Sequence, residues 1–283
     1  MGQVAPFRFR PLTVADLLDE AFRIYRANFP VLAAIAIATY LPQLAILLAS
    51  GTQDVYTAAL QAMLHPGTPT ETGTIPGYNP LRSLISLLNY PVQLGVAPLQ
   101  YGAPVLAATW TLLGYRVSLE SAIRGLLRFF WPTVLTLLLY LAMSFTFVCF
   151  PVALWLFTRL ALVLPSLYAE QAGVGRALER SWELTRGAFW RTFWLFLVLG
   201  VMLYVVSVVL TPVFIGTAAL IPELPLWLRV SLGLSFVGIS SAIIYPLFAI
   251  GATLIYFDLR VRREAFDLDF AAGRLAARAA GGG

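Results

Sequence analysis

Residues 158–200 (TRLALVLPSLYAEQAGVGRALERSWELTRGAFWRTFWLFLVLG) contain an apolar run, an arginine-rich amphipathic segment and a second apolar run that opens on aromatic residues. Long apolar runs are typical of membrane-spanning helices, and an arginine-rich amphipathic segment is typical of a helix in the membrane interface. The stretch therefore predicts a crossing, a surface helix and another crossing. Similar arrangements occur on both sides of it, so we expect the whole chain to be built this way.

The composition of the chain is that of an integral membrane protein. Of its 283 residues 59% are hydrophobic and only 12% are charged, and the mean hydropathy is +0.80. A water-soluble globular protein needs more charged surface than this. All 19 basic residues are arginine. They lie at the ends of apolar runs and not in one patch, which favours roles in orientation and lipid phosphate contact over nucleic-acid binding.

The apolar runs predict an all-α fold with six transmembrane helices, since about 20 residues are needed to cross a bilayer. The expected spans are residues 30–50, 98–115, 132–148, 151–168, 193–217 and 231–257. We interpret residues 1–270 as a single polytopic membrane domain. Within it, residues 51–97 are expected to form an extracytoplasmic loop, and residues 271–283 a flexible cytoplasmic tail.

Amphipathic segments precede three of the expected spans. In the first, Thr13 and Asp16 have the spacing of a capping box, and acidic residues precede basic ones in accord with the helix dipole. In the second, Ser118 is the expected N-cap. The third extends from Gly173 to Phe189. Each predicts a helix lying in the membrane interface.

These segments share an order that suggests a threefold repeat of a surface helix followed by a helical hairpin. With Phe29, Trp131 and Phe189 in register, an arginine stands three residues earlier in each copy. Two interpretations fit this order. Either the chain repeats one structural unit, or any interfacial helix before a span ends in arginine and an aromatic residue because the headgroup region favours both.

The distribution of arginines predicts the orientation. In the six-span arrangement Arg82 and Arg229 fall on one side, whereas sixteen arginines fall on the other. By the positive-inside rule both termini should be cytoplasmic. We therefore expect a multi-pass protein of the bacterial cytoplasmic membrane.

No group of residues in the sequence predicts catalysis. His65 is the only histidine and stands beside Pro66 in a turn-rich stretch, and Cys149 is the only cysteine and lies within an apolar run. A nucleophile needs a base, and a metal site needs several ligands. Neither arrangement is found within the spans. We therefore expect a non-enzymatic protein without a metal or cofactor.

Arg159 is the one charged residue deep within an expected span. It lies eight residues past Pro151, which places it ~12 Å below the outer turn. A charge there is costly and needs compensation. One interpretation is structural, through snorkelling or bonds to exposed carbonyls. The other is functional, with Arg159 binding a phosphate or carboxylate in a polar cleft. The arginines that end the three surface segments, Arg26, Arg128 and Arg186, are further lipid or ligand candidates.

Four segments carry a resemblance to a known family: residues 10–30 (RPLTVADLLDEAFRIYRANFP), 115–129 (YRVSLESAIRGLLRF), 176–191 (RALERSWELTRGAFWR) and 256–269 (YFDLRVRREAFDLD). Together they resemble the membrane-domain family named after glycerophosphoryl diester phosphodiesterase, including its stand-alone bacterial relatives. In that family the membrane part occurs fused to a soluble phosphodiesterase domain or stands alone without an assigned activity. A catalytic barrel would need about 250 residues, and no such stretch is present. The resemblance therefore implies a membrane domain and not the enzyme activity.

We expect a scaffold or accessory subunit that engages anionic phospholipid, or a protein partner, through its cytoplasmic arginine-bearing helices. The alternative is a transporter or lipid-handling protein with a polar cavity near Arg159. A transporter should contain a water-accessible cavity between its spans, whereas a scaffold should have a filled apolar interior.

Overall fold

The computed structural model describes residues 9–50, 80–146, 150–219 and 224–281, and within these ranges it contains helices and no β-strand. The all-α prediction is therefore confirmed. The helices are α1 (Val14–Ser50), α2 (Pro80–Leu87), α3 (Asn89–Leu112), α4 (Leu119–Arg128), α5 (Phe130–Ser144), α6 (Phe150–Leu160), α7 (Val163–Glu170), α8 (Val174–Thr185), α9 (Phe189–Ala219), α10 (Leu226–Glu264) and α11 (Phe266–Gly281).

Within the described ranges, four helical segments are long and apolar enough to cross a membrane, and a fifth is added if the bent pair α4 and α5 counts as one. The four are Val14–Ser50, Phe150–Glu170, Phe189–Val209 and Ile244–Glu264. These segments support a membrane protein with four or five spans. The six-span prediction is not confirmed. Helix α3, expected as a span from residue 98, is not among the helices whose length and mean hydropathy suit a membrane crossing.

The first half of helix α3 contains Asn89, Gln93 and Gln100, which lower its hydropathy, and the second half is packed against other helices. It packs against α1 and α10, and every residue from Gly102 to Thr109 is buried. Gly102 allows the closest approach, since a Cβ there would lie 2.2 Å from the hydroxyl oxygen of Tyr168. The helix begins at Asn89, so part of the expected 51–97 loop is helical. Residues 51–79, with His65, lie outside the described residues.

Helix α1 continues without a break through Pro30, where we expected a surface helix to give way to a separate span. Its buried residues keep three- and four-residue steps along the whole length: Leu17, Ala21, Ile24, Asn28, Leu32, Ile35 and Thr39. A proline costs a helix one hydrogen bond. The continuous packing stripe, with no cap residue to end the helix near Pro30, keeps the two parts together.

Helix starts follow the predicted capping chemistry. Before α1, the Thr13 side chain accepts a hydrogen bond from the Asp16 amide (3.2 Å) and Asp16 accepts one from the Thr13 amide (3.0 Å). Before α4, Ser118 and Ser121 form the same reciprocal pair. These bonds satisfy backbone donors that a helix start otherwise leaves unpaired. The predicted caps at Thr13 and Ser118 are confirmed.

The three junctions between surface segment and span differ from one another. The first is a continuous helix, the second is a 68° bend between α4 and α5 at Phe129, and the third is a turn that contains Gly187 at φ +84°. A left-handed φ at that turn suits glycine. Because the junctions are unlike, the threefold repeat is not confirmed.

Helix α8 packs against α7 and α6. The Ser166 hydroxyl donates to the carbonyl of Ala177 (3.1 Å), and the Ser181 hydroxyl donates to the carbonyl of Arg159 (2.7 Å). The arginine-rich segment of residues 158–200 is thus part of the packed bundle.

The carboxyl-terminal segment is helical where we expected a flexible tail. Helix α11 extends to Gly281, and its alanine-rich sequence has high helix propensity. Its start is anchored by aromatic contacts of Phe266 and Phe270 with Phe9, at ring-centroid distances of 5.1 Å each. Residues 147–149, with Cys149, lie outside the described residues.

Candidate functional site

A buried carboxylate, Asp258, joins three parts of the chain at one end of the bundle. Its side chain is 0% exposed. It accepts hydrogen bonds from the Leu12 amide (2.8 Å), from Arg191 of α9 (2.9 Å) and from Arg262 of α10 (3.0 Å). Both arginines also donate to the Leu12 carbonyl, at 2.9 and 3.1 Å. The cluster fixes the entry of α1 against the start of α9 and the end of α10.

A second cluster, centred on Arg180, joins α7, α8 and α10. Arg180 donates to Glu170 and to Glu264, each at 2.5 Å, and Arg260 donates to Glu264 at 3.2 Å. Desolvation lowers the pKa of Arg180, but its hydrogen bonds to Glu264 and Glu170 raise it by more, so the net pKa lies above the ordinary value. The guanidinium therefore remains charged and acts as a structural tie.

The predicted site residue Arg159 lies near the end of α6 and is enclosed by aromatic rings. Its guanidinium carbon lies 5.8 Å from the ring centroid of Trp155, 5.1 Å from Trp182 and 5.8 Å from Phe189. Such contacts attract a cation to the electron-rich ring face. Nε and Nη1 of Arg159 are buried without a hydrogen-bond partner in the described part of the chain. We call these four residues the Arg159 cage.

The other predicted site residues lie on different helices and have different neighbours. Arg26 of α1 is exposed, and its Nε donates to the Phe22 carbonyl at 3.4 Å. Arg128 ends α4, where its guanidinium lies 5.5 Å from the ring centroid of Phe129. Arg186 is exposed at the end of α8. Within the described ranges none of these three forms an ion pair with a carboxylate. None of these three arginines is part of the Arg159 cage.

Contacts near helix ends place several of these residues at one end of the bundle. Leu12, just before α1, bonds to Asp258 and Arg191. Arg180 of α8 bonds to Glu170 and Glu264, and Asn28 of α1 donates to Thr111 at 2.9 Å. The amino-terminal half of α1, the start of α9 and the ends of α3, α7 and α10 therefore lie on the same side. We call this the arginine-bearing end.

Two grooves open on the outside of the bundle, and both are almost wholly apolar. The α1/α10 groove has a volume of about 350 Å³ and includes Phe29, Ala33 and Tyr40 in its lining. The α6/α9 groove has a volume of about 320 Å³ and includes Phe157, Phe193 and Tyr204. Neither is lined by Arg159, so neither is the polar cleft that a ligand-binding role of that residue requires.

The acidic side chains that pack between helices at the arginine-bearing end are paired, whereas several arginines there are exposed. Among the residues that the structure describes, no group of three or more His, Cys, Asp or Glu is placed to hold a metal ion. Asp258, Glu170 and Glu264 are engaged by arginines. Exposed guanidinium groups, in contrast, can bind phosphate oxygens with two parallel hydrogen bonds.

Sequence reasoning missed both ion clusters. One signal was available, because Asp258 and Arg262 stand four residues apart and such pairs face each other on a helix. The partners Leu12 and Arg191 lie far away in the sequence, and no local pattern connects them to Asp258. The Arg180 cluster likewise depends on packing between α7, α8 and α10.

Comparison with known families agrees with the resemblance seen in the sequence. Residues 128–266 match the family described as the membrane domain of glycerophosphoryl diester phosphodiesterase. The match covers 139 of the 283 residues, just under half of the chain. The matched residues include helices α5 to α10 and every residue of the two ion clusters except Leu12. Comparisons with curated proteins and with solved structures gave no match.

Replacing Asp258 with asparagine should lower the free energy of unfolding by about 1.5–3 kcal/mol, because it weakens the hydrogen bonds that Arg191, Arg262 and the Leu12 amide donate to a buried carboxylate. Thermal unfolding in mild detergent measures the effect. Glu120→Gln is the matched control, since it breaks the Glu120–Arg124 pair whose side chains are 80% and 79% exposed. Exposed pairs contribute only ~0.2–1 kcal/mol. Equal effects of the two substitutions would contradict a structural role for the buried carboxylate.

Proposed function

We propose that this protein is a non-enzymatic scaffold or accessory subunit of the bacterial cytoplasmic membrane that binds anionic phospholipid through its arginine-bearing end. In this proposal α3 crosses the membrane as well, which gives six spans with both termini in the cytoplasm. The arginine-bearing end then faces the anionic inner leaflet, in agreement with the positive-inside rule.

The observation that carries the proposal is the contrast between paired and unpaired arginines. Arg180, Arg191, Arg260 and Arg262 neutralise the acidic side chains that are buried between helices. Arg26, Arg128 and Arg186 are exposed and have no carboxylate partner among the described residues. The first set holds the bundle together, and the second is free to bind headgroup phosphates.

The interior supports a scaffold over a transporter. One continuous apolar core joins α1, α3, α4, α7, α8, α9 and α10, and includes Ile24, Leu106, Leu126 and Ile250, all almost completely buried. A transporter needs a polar site near the middle of the bilayer that is open to water. The two grooves described above are apolar and lie on the outside of the bundle.

Removing two of the unpaired charges should weaken binding of anionic lipid. In nanodiscs that contain phosphatidylglycerol and phosphatidylcholine, the Arg128→Gln/Arg186→Gln variant should bind phosphatidylglycerol roughly 30-fold more weakly than wild type, since each arginine contributes about 1 kcal/mol near an anionic surface. Native mass spectrometry at low salt measures the bound lipid.

Arg124→Gln is the control for this experiment, because Arg124 is one turn from Arg128 and is paired with Glu120. It should leave lipid preference unchanged. Equal binding of the two lipids by wild type would contradict the proposal. So would a protein that co-purifies stoichiometrically with wild type but not with the double variant, which would make this surface a protein interface.

One observation favours a second candidate function, that of a transporter or lipid-handling protein. The buried Nε and Nη1 of Arg159 have no hydrogen-bond partner in the described part of the chain, and buried donors of this kind are costly unless a ligand or water satisfies them. An anionic group between α6 and α8 would supply the missing acceptors. The aromatic cage is the competing explanation, because it stabilises the cation without a ligand.

Arg159→Gln distinguishes the two explanations. If the cage alone accounts for Arg159, the variant should lose about 1–2 kcal/mol of stability through its cation–π contacts and should retain the same bound lipids. Trp182→Leu should also lower the melting temperature, whereas Trp190→Leu, an exposed residue outside the cage, should not. Loss of a bound phospholipid or small anion at unchanged melting temperature would instead establish the lipid-handling function.

A further inference from the structure

The α1/α10 groove is an apolar surface groove between two helices. Ala33 and Ala36 line it from α1, and Pro246 lines it from α10. Tyr40 also lines it, and its hydroxyl donates to the Ser235 carbonyl at 3.2 Å. The Tyr40 ring lies against Gly238, where a Cβ would approach within 2.3 Å. These contacts hold α1 and α10 together along the groove.

The groove is long enough to hold an acyl chain. Tyr25 and Leu44 are the first and last residues of α1 that line it. They are nineteen residues apart on one helix, or ~28 Å at 1.5 Å per residue. The hydrocarbon core of a bilayer is about 30 Å thick, so a chain that enters from the arginine-bearing end could lie along the groove through its own leaflet.

Arg26 is next to Tyr25, the first residue of α1 that lines the groove. It precedes Phe29 by three residues and Ala33 by seven, which places the three on one face of α1. The bond between Asn28 and Thr111 sets this position beside the end of α3. The guanidinium is exposed, and its one described hydrogen bond, at 3.4 Å, is long for an N–H donor. Its remaining donors are available to a phosphate.

We propose that the α1/α10 groove binds one resident phospholipid, with an acyl chain along Ala33 and Ala36 and the phosphate on Arg26. The inference rests on the proposed function in taking phospholipid as the ligand, but it assigns one defined site instead of a charged surface. Charge complementarity at Arg26 selects a phospholipid over an uncharged hydrocarbon. The site binds the phosphodiester and the chain, so the headgroup alcohol is not selected.

Native mass spectrometry of the full chain, released from the membrane in mild detergent, tests this site. Wild type should retain one phospholipid, identified by its mass. Arg26→Gln should reduce its occupancy at least fivefold, and Ala33→Phe, which fills the groove, should do the same. Two controls are matched in position and chemistry. Arg23→Gln removes an arginine that is paired with Glu20, and Ala38→Phe adds the same ring at an exposed position outside the groove.

Melting temperatures of all four variants show whether each remains folded, and Ala36→Leu replaces Ala33→Phe if the latter unfolds. The inference is overturned if occupancy is unchanged in the groove variants, if the controls lose the lipid equally, or if the retained mass is a detergent or a free phosphate. The two proposals fail separately. Phosphatidylglycerol preference that depends on Arg128 and Arg186, without a retained lipid, would remove the groove site and leave the proposed function standing.

Discussion

The arrangement of the bundle depends on the buried carboxylate of Asp258. Burying a charge costs free energy of desolvation, which hydrogen bonds and opposite charges must offset. Asp258 accepts such bonds from the Leu12 amide, Arg191 and Arg262. Two cations meet one anion, and the backbone carbonyl of Leu12 accepts the remaining donors. This constraint brings together the entry of α1, the start of α9 and the end of α10, and so defines the end of the bundle where the exposed arginines lie.

The arginines fall into two groups, those paired with acidic side chains between helices and those exposed at the surface. Acidic side chains that pack between helices are neutralised by Arg180, Arg191, Arg260 and Arg262, while apolar residues fill the space between α1, α3 and α10. Several exposed guanidinium groups without a carboxylate partner among the described residues, including those of Arg26, Arg128 and Arg186, lie on the outside. In the proposed function these cations face an anionic leaflet.

Local patterns in the sequence predicted the local structure well. The helical fold and the caps at Thr13 and Ser118 follow from hydropathy and capping chemistry, which depend on neighbouring residues alone. The continuity of α1 through Pro30 did not follow, because packing against α3 and α10 overrides the local break. The partners of Asp258 lie 67 and 246 residues away, and no periodicity encodes such contacts. The aromatic enclosure of Arg159 depends in the same way on α8 folding back against α6.

The orientation of the arginine-bearing end is the central claim, and site-directed labelling tests it most directly. In a Cys149→Ser background, a cysteine at Gly175 on α8 marks the arginine-bearing end, and one at Tyr90, near the start of α3, marks the opposite end. Both positions are exposed. In intact spheroplasts, a membrane-impermeant maleimide should label Tyr90→Cys at once and Gly175→Cys only after the membrane is opened. Labelling of Gly175→Cys in intact spheroplasts would contradict the account, because the free arginines would then face away from the inner leaflet.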